Sequence, residues 1–297
     1  MGTAALLMSH AQHHAPGSPG ERDIPAQTVD APCQHERVID VSARQDLARR
    51  LWDARTAVRP VPPLIETHPA LDVADSYEIQ SINIRRELDD GARLVGHKIG
   101  LTSAAMQQMM GVDVPDFGHL LDTMVLDITR PVPLAGFVQP RVEVEIAYVL
   151  GSELRGPGVT REDVEAAATH VLPCLELIDS RIRDWRIGLM DTIADNASSA
   201  AVLLGAHEYP VDAIRDPRDA SLLINGAVVA EGSTADVLGH PAEAVAWLAN
   251  ALGEFGVPLK AGHLVLSGSC TRAVDVRPGD RVSARFDGLG SVDVDFE

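Results

Sequence analysis

The 297-residue sequence predicts an α+β fold, a helical N-terminal part on a mixed, mostly antiparallel β core. Three observations carry that reading. Between Ser42 and Gly91 the apolar residues recur at helical spacing. Beyond residue 120 the texture changes to short alternating runs set off by Gly, Pro and Asp turns. No strand-like run opens into a GxGxxG or P-loop sequence, so nothing supports a nucleotide-binding α/β fold.

Residues 1–41 read as a disordered tail, rich in His, Pro, Gly and Ala and without apolar periodicity. His10, His13 and His14 in it are no more than a place for a stray metal ion. A single domain then fills 42–297, its helical part over about 42–120 and its β-rich core over about 121–297. SARQDLARRLWDART places Leu47, Leu51 and Trp52 on one helical face behind a Ser42 cap, and PVPPLIETHP breaks it. A second helix runs through DVADSYEIQSINIRRELDDG and ends at Gly91. RLVGHKIGLT is a strand entering a loop, and SAAMQQMMGV is a short helix whose methionines fill core. VEVEIAYVL alternates strictly, SLLINGAVVAEG is a hairpin around Asn225-Gly226, and HLVLSGS, RVSARFDG and SVDVDFE add short strands. Helices interrupt at about 160–170 and 241–255, the second stopping at Gly256.

Composition narrows the function. A formal net charge of -18 repels nucleic acid and anionic membranes, so neither is a partner. No apolar run approaches the roughly 20 residues of a membrane helix, and AALLM lacks the basic leader of a signal peptide. Cys33, Cys174 and Cys270 show neither zinc spacing nor a disulfide framework, which points to a reducing, cytoplasmic setting. An acidic substrate would also be repelled unless cations reverse the potential locally.

Glu143 and Glu145 lie two apart on a strand, which puts both carboxylates on one face and Val142, Val144 and Ile146 on the other. A half-exposed strand with a solvated polar face is the commoner cause of such alternation. Glu176 interrupts the apolar run VLPCLELID, where an unpaired charge is costly to bury. Together the three make a hard, all-oxygen set suited to Mg²⁺ or Mn²⁺, which would draw in an anionic chelator such as a 2-oxo acid. Lys98, in GHKIG, is either a snorkelling residue or a buried cation facing ligand, and Lys260 is the only other lysine. Asp116, after Pro115, has the sequence context of a turn. His97 and His119 are acid–base candidates, although a lone His is more often a core or loop residue. Asp195, Asn196, Ser198 and Ser199, in DTIADNASS, either cap a helix or line a pocket.

In combination, GHKIGLTSAAMQQMMGVDVPDFGHLL, PRVEVEIAYVL, LPCLELIDSRIRDW, DTIADNASS, SGSCT and LGSVDVDF resemble the 2-keto-4-pentenoate hydratase family of the fumarylacetoacetate-hydrolase-like superfamily. The likeness runs in order from Ser42 to the C-terminus and leaves out the tail. It implies a lyase of meta-cleavage catabolism of aromatic or related rings. Such a lyase ketonises a 2-hydroxy-2,4-dienoate and adds water to give a 4-hydroxy-2-oxo acid. On this likeness Glu143, Glu145 and Glu176 are metal ligands, Lys98 and Asp116 handle substrate and protons, and Ser198 contacts the substrate. It also implies a homo-oligomer and a complex with a pathway enzyme.

Three alternatives stand beside it. A 4-oxalocrotonate-type decarboxylase uses the same metal logic but needs a cation for a second carboxylate, for which Arg141, Arg181 and Arg183 are near in sequence. A C–C hydrolase would need His97 or His119 paired with a carboxylate. A catalytically silent partner subunit is opposed by the retention of all three Glu, Lys98 and Asp116.

Overall fold

Asp40, not Ser42, starts the first helix of the structure, a computed structural model that describes residues 39–103, 107–108 and 111–297. The Asp40 carboxylate accepts the Ala43 N–H at 2.7 Å, the usual N-cap arrangement, and Ser42 falls inside α1 (Val41–Thr56). The tail with His10, His13, His14 and Cys33 lies outside the described residues, as do residues 104–106 and 109–110 of the predicted Met-rich helix, its three methionines among them. A short α2 (Leu64–Thr67) sits in the proline-broken stretch. Asp72 caps α3 (Val73–Asp89), which stops ahead of Gly91 at φ 103°. Leu47 and Leu51 are buried against Leu64, Ile79 and Ile182. Trp52 is instead half-buried between the guanidinium groups of Arg55 and Arg86, at 4.8 and 4.3 Å.

The strands follow as β1 (Leu94–Gly100), β2 (Asp116–Leu121), β3 (Val125–Leu126), β4 (Pro140–Leu150), β5 (Ala168–Asp179) and β6 (Ser199–Leu204). Then come β7 (Asp219–Ile224), β8 (Ala227–Ser233), β9 (Leu264–Ser269), β10 (Val274–Asp275), β11 (Arg281–Phe286) and β12 (Gly290–Asp295). Three further helices are α4 (Arg161–Ala167), α5 (Leu189–Ala194) and α6 (Pro241–Gly253). An eight-stranded sheet runs β2-β1-β9-β4-β5-β6-β3, with β10 also on β4, and a four-stranded sheet runs β12-β11-β7-β8. Only β1·β9 and β3·β6 are parallel among the described strand pairs. Asn225 (φ 52°) and Gly226 (φ 83°) make the turn of the β7–β8 hairpin, both in the left-handed region that such tight turns require. The α+β class with a mixed, mostly antiparallel core is therefore what the chain forms. β1 and β2, which precede residue 120, are strands of the same sheet as β4.

The period of two divides each central strand between two environments. Val142, Val144, Ile146, Leu175 and Leu177 face the main core, where they meet Leu222, Val282, Val292 and the α6 residues Val245 and Leu248. The opposite face is apolar at one end, around Ala147, Leu172, Cys174 and Leu266. Its other end carries Glu143, Glu145 and Glu176. Among the described residues no helix is long and apolar enough to cross a membrane.

Candidate metal centre

Antiparallel pairing of β4 with β5 sets Glu143 opposite Glu176 and Glu145 opposite Cys174. One oxygen from each of Glu143, Glu145 and Glu176 lies within 4.8 Å of the others. Glu145 and Glu176 are 0% exposed and Glu143 is half-buried, so the solvated-face explanation of the alternation does not hold here. The polar ends are aimed from behind: Gly268 N–H donates to Glu145 Oε2 at 2.9 Å, and Ser199 Oγ donates to Glu176 Oε1 at 2.8 Å.

β1 brings Lys98 to the same place, because its register partner on parallel β9 is Leu266, a residue of that same face. Lys98 is 3% exposed, a buried cation and not a snorkelling one. Its Nζ donates to the Ala197 carbonyl at 3.0 Å and lies 3.3 Å from Glu176 Oε2. Asp116 is the first residue of β2, not part of a turn, and it is buried beside Gly100, its register partner. A Cβ at Gly100 would sit 2.2 Å from Asp116 Oδ1, so the close approach of the two strands requires glycine there. Thr192 Oγ of α5 donates to Asp116 Oδ2 at 3.4 Å.

Ser198 reaches the site through an unusual backbone. Asn196, Ala197 and Ser198 have φ of 56°, 50° and 56°, three successive non-glycine residues in the left-handed region. Each such residue costs on the order of 1 kcal/mol or more, so the surroundings must hold the turn. Its predecessor does so on one side: Asp195 is buried against Arg181, accepting the Arg181 backbone N–H at 2.8 Å and its guanidinium as well. Of the run DTIADNASS, Ser199 bonds to Glu176, the Ala197 carbonyl accepts from Lys98, Ser198 is buried next to it, and Asp195 belongs to the scaffold. A cavity of about 520 Å³ lies beside the turn. Its wall includes Asn196, Ser199 and Arg181 but none of Lys98, Asp116 and the three Glu, so it is not where the charges converge.

Four buried polar atoms around the centre have no hydrogen-bond partner: Glu145 Oε1, Glu176 Oε2, Asp116 Oδ1 and Ser198 Oγ. Bare buried acceptors are costly, and here they accompany an excess of carboxylates over the one ammonium. Burial, then the neighbouring Glu176 and Glu143, push the Glu145 carboxyl well above its usual range. Burial raises Glu143 to about 7, against the pull of Lys98. Asp116 is raised by burial too, with Lys98 opposing. Burial works against the Lys98 ammonium, but Glu176, Asp116, Glu143 and Glu145 outweigh it and keep it charged. A divalent cation fits this set: it would satisfy the bare oxygens and cancel the repulsion.

His97 and His119 are register partners on β1 and β2 and lie with Val265 on the other side of the sheet from Lys98. His119 Nδ1 meets Gln80 Oε1 at 2.8 Å, and His97 Nδ1 is buried without a partner. Burial lowers both, His119 to about 4, so each is a neutral imidazole; neither bonds to a carboxylate. The arginines named from the sequence are also engaged: Arg141 pairs with Asp275 and stacks on Trp185, Arg181 is taken by Asp195, and Arg183 is exposed. The sequence reading missed Gly268 N–H and the Ala197 carbonyl, which are backbone groups without a side-chain signature. It named Ser199 without its hydrogen bond to Glu176.

The profile of the family described as "Fumarylacetoacetate (FAA) hydrolase C-terminal" matches residues 101–296. The chain is 44% identical over 251 residues to a 2-hydroxyhexa-2,4-dienoate hydratase of Comamonas testosteroni, covering 84% of this chain and 95% of that protein. It is 42% identical over 261 residues to a 2-keto-4-pentenoate hydratase of Paraburkholderia xenovorans (strain LB400), covering 86% and 95%. Its fold is similar to that of the 4-oxalocrotonate decarboxylase from Pseudomonas putida G7 complexed with magnesium and adipate. There the TM-score is 0.84 and the identity 35%, over 88% of this chain and 100% of the other.

Proposed function

Because the chain belongs to the 2-keto-4-pentenoate hydratase group of the fumarylacetoacetate hydrolase family, we propose that it hydrates a 2-hydroxy-2,4-dienoate to a 4-hydroxy-2-oxo acid in meta-cleavage catabolism. The observation that carries the reading at the level of atoms is the set of buried carboxylates, Glu145, Glu176 and Asp116, gathered around the one Lys98 ammonium with oxygens that no hydrogen bond satisfies. Glu143, Glu145 and Glu176 would hold Mg²⁺ or Mn²⁺. When bound, the cation supplies Lewis-acid charge for the substrate carboxylate and C2 oxygen.

The chain's own groups do the rest. Lys98 presents a permanent positive charge where the C2 oxygen gains negative charge. Asp116, with its raised pKa, delivers a proton to C5 as the enol proton leaves O2, giving the unsaturated 2-oxo acid. In the second step it takes a proton from water, whose oxygen bonds to C4 while C3 gains a proton. Ser198 Oγ, bare and buried, hydrogen-bonds the bound carboxylate or oxo oxygen. The hydratase unit starts at Ile39 and not at residue 42, because Ile39 is buried with Leu47 and Leu51 and Asp40 caps α1. A cytoplasmic setting accords with the free thiols of Cys174 and Cys270, while a homo-oligomer in contact with a pathway enzyme rests on the family likeness alone.

The likeness to the decarboxylase keeps a second reading, loss of CO₂ from a 2-oxo-3-enedioate. Hydration is preferred because Arg141 and Arg181 are neutralised by Asp275 and Asp195 and neither is free for a second carboxylate. The test is a panel of mono- and dicarboxylate dienols with and without Mg²⁺ or Mn²⁺, followed by ultraviolet absorbance and CO₂ release. Metal-dependent loss of the dienol from 2-hydroxypenta-2,4-dienoate is expected. CO₂ from 4-oxalocrotonate without dienoate turnover would reverse the assignment.

A further inference from the structure

β2 is an edge strand of the eight-stranded sheet, so one side of its backbone has no neighbouring strand. At His119 that edge is met by a side chain instead. Asn196 Oδ1 accepts the His119 N–H at 2.8 Å, and Asn196 Nδ2 donates to the His119 carbonyl at 3.0 Å. A primary amide carries the same donor and acceptor as a peptide group, so Asn196 pairs with the edge as one residue of an added strand would. The contact is tight: a Cβ at Gly118 would lie 2.4 Å from the Asn196 carbonyl oxygen. Gly118 is in turn the register partner of Lys98.

This clamp sits at the start of the left-handed turn Asn196–Ser198. The turn's middle residue offers its carbonyl to Lys98 Nζ, and its last residue carries a buried hydroxyl with no hydrogen-bond partner among the described residues. Neither of these groups hydrogen-bonds to β2 itself. We infer that Asn196 is a positioning residue: by pairing with the edge of β2 it locks the strained turn, and so fixes the Lys98 ammonium and the Ser198 hydroxyl relative to Asp116 on that same strand. The inference deepens the hydratase reading and rests on it.

Asn196→Gly separates the clamp from the backbone requirement, because glycine adopts φ near 56° without strain but has no amide to pair with His119. Asn196→Ala removes both. The purified full chain would be assayed for turnover of 2-hydroxypenta-2,4-dienoate, for Mn²⁺ affinity, and for binding of oxalate, a planar dianion resembling an enolate, to the Mn²⁺-loaded protein. Asn196→Gly should lower kcat by about tenfold or more and weaken oxalate by a similar factor. Its Mn²⁺ affinity should stay within about threefold of wild type, since Asn196 touches none of the three Glu. Asn196→Asp keeps the acceptor for His119 N–H and should fall between. If Asn196→Ala does not fold, the glycine variant decides, as the turn conformation suits it. Wild-type kcat and oxalate affinity in Asn196→Gly would overturn the inference. So would a fall in Mn²⁺ affinity that matches the fall in kcat. Wild-type protein that binds Mn²⁺ yet hydrates no dienol would instead overturn the hydratase reading, and the oxalate comparison would still decide Asn196.

Discussion

Two buried ionic groups flank the Asn196–Ser198 turn, and they are built on opposite terms. Behind it, Arg181 and Asp195 are saturated: the Arg181 guanidinium donates to the Asp195 carboxylate and to the Asp179 and Asp195 carbonyls. In front of it, Lys98 faces Glu176, Glu145 and Asp116; Glu145 and Asp116 each keep a buried oxygen without a hydrogen bond, and Glu176 Oε2 has only the Lys98 charge. Both groups are buried, so burial does not distinguish structure from chemistry. Saturation does. A buried charge whose every donor is matched holds the fold, whereas one left short is matched by something that comes and goes.

The sharpest break of the comparison is Asp195→Ala. It strands the Arg181 guanidinium in a buried place and should cost about 3–5 kcal/mol of stability, read by urea or thermal denaturation. A loss under about 1 kcal/mol would show that water replaces the carboxylate easily. On the other side, Glu145→Gln should remove Mn²⁺ binding and lower turnover on the order of a thousandfold, the several kcal/mol that a Lewis acid contributes. The same variant should raise the melting temperature of the metal-free protein at neutral pH and above, because it deletes a carboxylate that burial and like charges disfavour. If both variants destabilised the metal-free protein alike, the contrast between the two groups would fail.

Titration sharpens the point. Glu143 is raised from 4.5 to about 7. Its protonated form therefore contributes stability to the metal-free fold that is fully present below 4.5 and is lost as pH rises through about 7. Metal binding needs the ionised form, so Mn²⁺ affinity should rise over that window with release of protons. Melting curves at about pH 6 and about pH 8, with and without Mn²⁺, should show the metal-induced shift growing with pH; an equal shift at both would remove Glu143 from the site. The smallest effect belongs to Ser199→Ala. It removes the hydrogen bond that orients Glu176 and should weaken Mn²⁺ about tenfold, while leaving the Arg181–Asp195 pair and its contribution to stability in place.

Period-two patterning made the strands legible, because burial of one face leaves a direct trace in alternate residues such as Val142, Val144 and Ile146. The same rule set Glu143 and Glu145 side by side, but their burial on β4 was not readable: it depends on β5 and β9 arriving from distant parts of the chain. Asp116 looked like a turn residue since Pro115 precedes it, and local turn chemistry says nothing of a tertiary strand partner. The sequence reads Ser42 as the cap of α1 whereas Asp40 caps it; serine and aspartate cap equally well, so residue type alone does not choose between them. Asn196 carried only a cap-or-pocket signal. Its actual partner, the open edge of β2, exists only once the sheet order is known.

That sheet order also sets a timetable for synthesis. β9 lies between β1 and β4, so within the sheet the strands of Lys98 and Asp116 are joined to the β4–β5 pair through residues 264–269. The hairpin and the β1–β2 pair can each form as the ribosome releases them, since both are local. The strand that welds them is among the last made, and pairings between such distant segments form slowly. The site is therefore completed by late sequence: β9 supplies both the Gly268 N–H that holds Glu145 and the strand between Lys98 and the carboxylates.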